Sequence, residues 1–396
     1  MQVSRMSNVT YIFLCKAARV FVFGLVSIMT PIYLATLGYS PFYVGVALAA
    51  IILGNIVSNI ILTWHGNWIG RKRSLLVFSS LMFISGILLF STTLLPLILL
   101  ACFLGNISTT GTEAGPFQSI ETGVLPNLVS EGEASRAFGA YNLIGYGASS
   151  IGAFAASTPA YFQNDLTVFR SLYLVYGLVG LLLFIFYRML GNIESTNAGP
   201  KRLGLARMMP KPRRDLTKLS VFFSVDAFGG GFVSQSILSF WFYLAYNVSL
   251  ANLGIIFLAA NVITAISTFG ASLIAEKLGN LRTMVYTHLL SNVFLVLVPL
   301  VGSLSGAVLF LFLRQSVSQM DVPTRQAFVA EIFSDQDRVS ANAITNTCRS
   351  ISSVFGAPIS GVLFAIGLTS WPILAGGFSK ILYDLAIFPA YRREVR

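Results

Sequence analysis

Long apolar runs separated by short polar breaks set the pattern of this chain. Twelve runs can be marked, at 10–35, 41–63, 73–93, 95–124, 138–160, 169–190, 216–247, 250–275, 283–302, 304–331, 339–367 and 371–390, most of them ended by Gly, Pro or charge. Crossing a hydrocarbon core takes about 20 residues of helix, so the pattern predicts an all-α membrane protein with twelve transmembrane helices. The opening MQVSRMSNVT is polar, and the apolar run behind it continues as a full-length helix. No cleavable signal peptide is expected from it.

The polar breaks alternate in character. Those near 36–40, 94, 161–168, 248, 303 and 368–370 have a single basic residue close by, Arg170. The alternate set carries Arg71, Lys72, Arg73, Arg136, Lys277, Arg282, Arg338 and the basic stretch from Lys201 to Lys218, and the tail adds Arg392, Arg393 and Arg396. Positively charged loops stay cytoplasmic, so both termini are expected on that side of the plasma membrane. The longest polar stretch, 191–214, divides the runs into two sets of six. The expected organisation is therefore 1–190, a cytoplasmic linker at 191–214, and 215–396. Within the linker, KRLGLARMM could alternatively form a short amphipathic helix on the membrane surface.

Composition agrees: charged residues make up 10% of the chain and mean hydropathy is +0.76, against about 25% charged residues in an ordinary soluble domain. A net charge of +11 could suggest nucleic acid. The basic residues fall on one set of loops instead, so the excess is a topology signal and a contact for anionic lipid. Cys15, Cys102 and Cys348 lie in apolar segments without CxxC spacing and are expected to pack. No cofactor, metal or nucleic-acid partner is expected, and the chain is expected to be a monomer.

The two halves can be laid over one another. Gly70 of GRKRSLL matches Gly279 of EKLGNLRTM, Tyr33-Leu34-Ala35 matches Tyr243-Leu244-Ala245, and Gly45 matches Gly254. Further on, SEGEASRAFGAYNLIGYGASSIGA aligns with SDQDRVSANAITNTCRSISSVFGA, with Ser149 on Ser353 and Gly152 on Gly356. The offset stays between 204 and 210 residues throughout. Parallel repeats of six helices imply two pseudo-symmetric bundles with a solute site between them near the midplane.

The chain resembles the major facilitator superfamily over essentially its whole length. Besides the spans and the central loop, Gly66-Asn67-Trp68-Ile69-Gly70-Arg71-Lys72-Arg73 is similar to the G-x-x-x-D-R-x-G-R-[KR] signature of that family. The signature acid falls on Asn67 and its arginine on Trp68, while the Gly70-Arg71-Lys72 core remains; the second copy keeps an acid, Glu276. Glu133 and Arg136 resemble the acid-then-arginine pattern of the loop between the fourth and fifth helices. The resemblance implies that the loop containing Gly66 works as a conformational latch, and that the first, fourth, seventh and tenth helices line the cavity.

Those helices carry Lys16, Arg19, Glu113, Glu121, Asp226, Arg314, Asp321 and Arg325, and the eleventh adds Arg349. Charge within a span is costly and usually marks a partner or a cavity. Asp226 lies about ten residues into its span, near the midplane at ~1.5 Å per residue, just before Gly229-Gly230-Gly231. A carboxylate alone at that depth can exchange a proton and couple it to transport; the competing role is a structural ion pair. Arg314 and Arg349 also sit at mid-depth and cannot shed their charge, so each needs an acid, carbonyls or an anionic solute. Glu113 and Asp321 are further candidates for solute or proton contact. Glu121 and Arg325 occupy matching repeat positions and suit a gate or a salt bridge. Lys16 and Arg19 are expected to snorkel to headgroups, Lys380 and Asp384 to satisfy each other four residues apart, and His65 and His288 to be peripheral. Phe240, Trp241, Tyr243 and Tyr246 could line a vestibule or pack.

The expected function is secondary active transport of a small solute by alternating access, proton-coupled, of the drug or metabolite efflux type. An organic-anion carrier or a uniporter is the alternative within transport. A receptor or a membrane enzyme is disfavoured. The chain has no long soluble segment, no HExxH or GxSxG cluster at membrane depth, and no G-x-x-x-x-G-K-[ST] loop for ATP.

Overall fold

A computed structural model describes residues 2–112, 115–130, 133–191, 193, 210–333 and 335–392. Among them every regular element is helical. In chain order these are α1 (Gln2–Thr36), α2 (Pro41–Ile69), α3 (Arg71–Ser91), α4 (Leu95–Leu104), α5 (Pro116–Leu128), α6 (Ala134–Ala155), a 3-10 turn (Thr158–Phe162), α7 (Leu166–Met189), α8 (Pro210–Gly231), α9 (Gln235–Tyr246), α10 (Leu250–Leu278), α11 (Asn280–Leu300), α12 (Leu304–Gln315), α13 (Asp321–Ile332), α14 (Asp335–Ser353), α15 (Gly356–Ala365) and α16 (Trp371–Tyr391). Nine spans among the described residues are long and apolar enough to cross a membrane, with α8–α9 and α14–α15 each counting as one. The broken pairs α4–α5 and α12–α13, together with α6, complete the twelve crossings. KRLGLARMM lies outside the described residues.

Four crossings are therefore interrupted where the apolar pattern reads as continuous helix. Gly105, Gly111, Gly115 and Pro116 stop α4 from running into α5, and Gly111 takes a φ of +72° that suits glycine. Side chains accept the task of satisfying the freed carbonyls, as non-helical backbone at membrane depth requires. Asn55 Nδ2 donates to Ile107 O at 2.7 Å, and Ser149 Oγ donates to Gly111 O at 2.7 Å. The break between α8 and α9 follows the Gly229-Gly230-Gly231 triplet directly.

Helix contacts are made through small residues, as expected where lipid replaces water and close approach replaces the hydrophobic drive. Gly86 of α3 lies against Gly177 of α7, Gly24 of α1 against the Ser149 backbone of α6, and Gly231 of α8 against the Ser353 backbone of α14. Side chains such as Ile151, Ile266 and Leu382 are 61%, 67% and 63% exposed, an apolar surface suited to lipid tails.

The chain forms two compact units. The first comprises Met1–Pro200 with Gln235–Leu258, and the second comprises Lys201–Ser234 with Ala259–Arg396. The division read from the sequence at 191–214 places everything after it in one half, whereas α9 and the start of α10 join the first unit. Two hydrogen bonds help hold α9 there: Gln235 Nε2 donates to Ser27 Oγ at 2.8 Å, and Ser236 Oγ donates to Ser27 O at 2.6 Å.

The repeat is visible in the backbone. Gly70 and Gly279 have φ of +89° and +81° and start α3 and α11 in the same way, accepting from Ser74 N at 3.0 Å and Thr283 N at 3.1 Å. The Gly24–Ser149 approach recurs as Gly231–Ser353. Because Ser149 and Ser353 are already matched, Gly231 is the counterpart of Gly24, and Asp226 is the counterpart of Arg19.

Candidate functional site

In the first unit, α1 and α5 bring Arg19 and Glu121 together, each 0% exposed. The pair is bidentate: Arg19 Nη1 donates to Glu121 Oε1 at 3.1 Å and Nη2 to Oε2 at 2.6 Å. Tyr187 of α7 donates to Oε1 at 2.6 Å and accepts from Arg19 at 2.6 Å, while Tyr141 of α6 donates to Oε2 at 2.7 Å. Phe117 lies under the guanidinium at 4.7 Å. One turn earlier, Lys16 is 4% exposed with its ammonium 4.1 Å from the Tyr141 ring centre. The snorkelling expected of Lys16 and Arg19 is thus replaced by internal partners. A carboxylate and two phenols within reach remove any need for the stems to extend to headgroups.

In the second unit, five helices converge on Asp226 of α8, which is 1% exposed. Lys380 Nζ of α16 donates to Oδ1 at 2.6 Å, and Arg349 Nη1 of α14 donates to Oδ2 at 2.8 Å. His288 Nε2 of α11 stands 3.3 Å from Oδ1 and Arg325 Nη1 of α13 stands 3.8 Å from Oδ2. Asp226 is therefore not the lone carboxylate of the sequence reading but the centre of a network. Its edges are carboxylates too: Arg325 reaches Asp321 at 2.8 Å, and His288 Nδ1 faces Asp384 Oδ1 at 2.8 Å. Asn292 Nδ2 donates to Asp384 Oδ2 at 3.0 Å.

Two expectations are overturned here. Lys380 and Asp384 do not pair along α16; each turns to a different helix, because a helical pair four apart contributes only about 0.2–0.5 kcal/mol, while a buried charge without a close partner costs several. His288 is not peripheral. An imidazole inside an apolar span needs polar partners, and that alone was the signal that could have placed it in the site. Phe223 was also missed, since nothing distinguishes it in sequence from its apolar neighbours. Its ring centre lies 5.8 Å from the Arg349 guanidinium and 5.9 Å from that of Arg325.

The remaining candidates are placed elsewhere or undescribed. Arg314 donates to Gln315 Oε1 at 2.8 Å, and its buried Nε has no partner among the described residues. Glu113, the side chains of Asn67 and Glu276, and the surroundings of Gly66 lie outside the described residues. Arg71 donates to Ile193 O at 3.5 Å, and Lys72 donates to the Leu190 carbonyl at the end of α7. Cations there suit the negative end of the helix dipole. Phe240 and Trp241 are packed at 1% exposure each, and Phe240 stacks on Tyr243 at 6.3 Å.

Two six-helix repeats, glycine-mediated helix contacts and a charge network at mid-depth describe a polytopic membrane carrier. The sequence profile of the Major Facilitator Superfamily matches residues 12–319 and 245–396, so the chain belongs to that superfamily. It is a membrane transporter and not an enzyme. The chain is 23% identical over 381 residues to the uncharacterised membrane protein YJR124C of Saccharomyces cerevisiae, covering 87% of this chain and 85% of that protein. Among solved structures it is similar to the nucleoside transporter NupG, with a TM-score of 0.75 and 13% identity over 97% of this chain and 99% of that one. It is likewise similar to the inward-open xylose transporter XylE of E. coli, with 0.73 and 14% over 96% of each. The human organic anion transporter MFSD10 aligns with 0.66 and 15% over 96% and 99%. At these identities the solved structures establish the fold.

Proposed function

We propose that this transporter is a secondary carrier that moves a small organic solute by alternating access, driven by protons, and that Asp226 is the coupling centre. One observation carries the reading: a single buried carboxylate ties α8 to α11, α13, α14 and α16 at once. Protonating Asp226 removes the attraction that holds four helices to the fifth, so one proton changes the relative stability of two helix arrangements. His288, between Asp226 and Asp384, offers a hydrogen-bonded route by which such a proton can be handed on. The basic loops support an orientation with both termini cytoplasmic. Cysteines at Arg213 and Ser303, in a background without native cysteines, are expected to label from opposite sides.

The test is a reconstituted assay. Proteoliposomes loaded with a pH-sensitive dye are challenged with sugars, nucleosides, amino acids, short peptides and organic acids, and a transported solute is expected to carry protons with it. In the charge-balanced double variant Asp226→Asn with Lys380→Met, exchange of labelled for unlabelled solute should survive while gradient-driven accumulation is lost. Accumulation at the wild-type level in that variant would remove Asp226 from coupling. Solute flux with no proton movement in the parent protein would favour a uniporter.

A further inference from the structure

We infer that Arg349 and Arg325 form an anion-binding face on the second unit, and that the transported solute is a small organic anion bearing a carboxylate or a phosphate. The inference rests on the transport reading above and narrows its substrate class. It starts from the uneven sharing of carboxylates among the cations. Asp226 is met at 2.6 Å by Lys380, Asp321 at 2.8 Å by Arg325, and Asp384 at 2.8 Å by His288. Each carboxylate of the network thus has a close cation or imidazole without Arg349. Arg349 shares an oxygen with a carboxylate that Lys380 already balances. Three cations, Lys380, Arg325 and Arg349, thus face three carboxylates, and Arg349 is the one that shares its carboxylate with another cation.

Its hydrogen-bonding capacity is also unspent. A guanidinium has five N–H groups in a rigid fork and keeps its charge. Among the described residues, Arg349 donates one hydrogen bond, from Nη1 to Asp226, and Arg325 donates one, from Nη1 to Asp321. The Nε and Nη2 groups of both arginines therefore lack protein acceptors among those residues. None of these N–H groups is among the buried atoms left without a partner, so they remain open to an acceptor.

Exposure shows where that acceptor can sit. The Asp226 side chain is 2% exposed, whereas those of Arg325 and Arg349 are 16% and 22% exposed. The carboxylate is buried and the two arginines are partly exposed. Phe223, itself 2% exposed, backs both guanidinium groups from the core at 5.9 and 5.8 Å. The free Nε–Nη2 edge of a guanidinium matches two oxygens of one carboxylate or phosphate. A small organic anion would take up the open donors of the two partly exposed guanidinium groups. A cationic solute would meet the wrong sign.

The purified full chain can be tested by thermal shift with defined probes: benzoate, 2-oxoglutarate and glycerol 3-phosphate, beside benzamide and glycerol as uncharged counterparts, at low and high salt. At least one of the three anions is expected to raise the unfolding midpoint at both salt levels, while its uncharged counterpart has no effect. Arg349→Lys keeps the charge and should leave the ligand-free midpoint nearly unchanged. It should weaken anion binding by about tenfold or more, because a point ammonium cannot replace the planar fork. Arg325→Lys should weaken it less. The proposal is overturned by a panel in which no anion moves the midpoint, by equal shifts from the uncharged counterparts, or by anion shifts undiminished in both lysine variants. Proteoliposome flux separates this from the broader reading. Accumulation of an uncharged solute would retain the transporter and remove the anion class. An anion that binds through Arg349 while no tested solute ever crosses would retain the site and remove the transport role.

Discussion

The two repeats place a cation and a carboxylate at the same pair of positions, with the signs exchanged. In the first unit α1 carries Arg19 and α5 carries Glu121; in the second, α8 carries Asp226 and α13 carries Arg325. The first pair is closed. Its contacts are bidentate at 2.6 and 3.1 Å, two tyrosine hydroxyls satisfy the carboxylate, and neither side chain is exposed. The second pair is loosened to 3.8 Å, because Arg325 has turned to Asp321 and Asp226 is shared among Lys380, Arg349 and His288. The same pair of positions thus forms a structural knot in one unit and a network with alternatives in the other. A charge with a single excellent partner has one arrangement. A charge with several partners of similar quality has several, which is what a moving part requires.

The largest effect is predicted for Glu121→Gln, which strands Arg19 in a closed site. It should cost about 3–5 kcal/mol, seen as a large fall in the unfolding midpoint of the detergent-purified protein. A loss no greater than that of a surface substitution would show that the first unit is not the rigid partner in the comparison. Asp226→Asn should cost less, about 3 kcal/mol at the lower end of that range, because Arg349 and Arg325 are partly open and can take up water. Adding Lys380→Met should restore much of the stability, and a double variant no better than the single would mean that Lys380 is not the principal counter-ion. Next, Gly24→Ala and Gly231→Ala each push a Cβ against a serine backbone on the facing helix, so both should destabilise by about 1–3 kcal/mol. Similar costs in the two units would confirm that the frame is shared and that only the charges differ. The smallest effect on stability is predicted for Arg349→Lys, about 1 kcal/mol or less, because the charge facing Asp226 is kept and Lys380 also holds that carboxylate. If Arg349 were as integral as Arg19, this variant would unfold well below the parent.

Much of the architecture was legible in the amino-acid sequence. The number of crossings follows from the length of the apolar runs, since a bilayer imposes one helix length on every span. The repeat follows from glycines whose positions the backbone cannot vary, as at Gly70 and Gly279, where φ near +85° excludes most side chains. That Asp226, Arg349, Arg325 and Asp321 matter could also be read, because charge at membrane depth needs a reason. Their partners could not. Lys380 and Asp384 are neighbours on α16 and look like a pair, yet they turn to α8 and α11. His288 sits in an apolar span and looks like packing, yet it stands between two carboxylates. Lys16 and Arg19 look able to reach headgroups, yet both are held by aromatic and acidic groups within the unit. Periodicity and hydropathy report how each helix meets the membrane, a nearly one-dimensional environment that every span shares. Ion pairing depends on angstrom-scale distances between side chains far apart in the chain, and those distances exist only once the helices are packed.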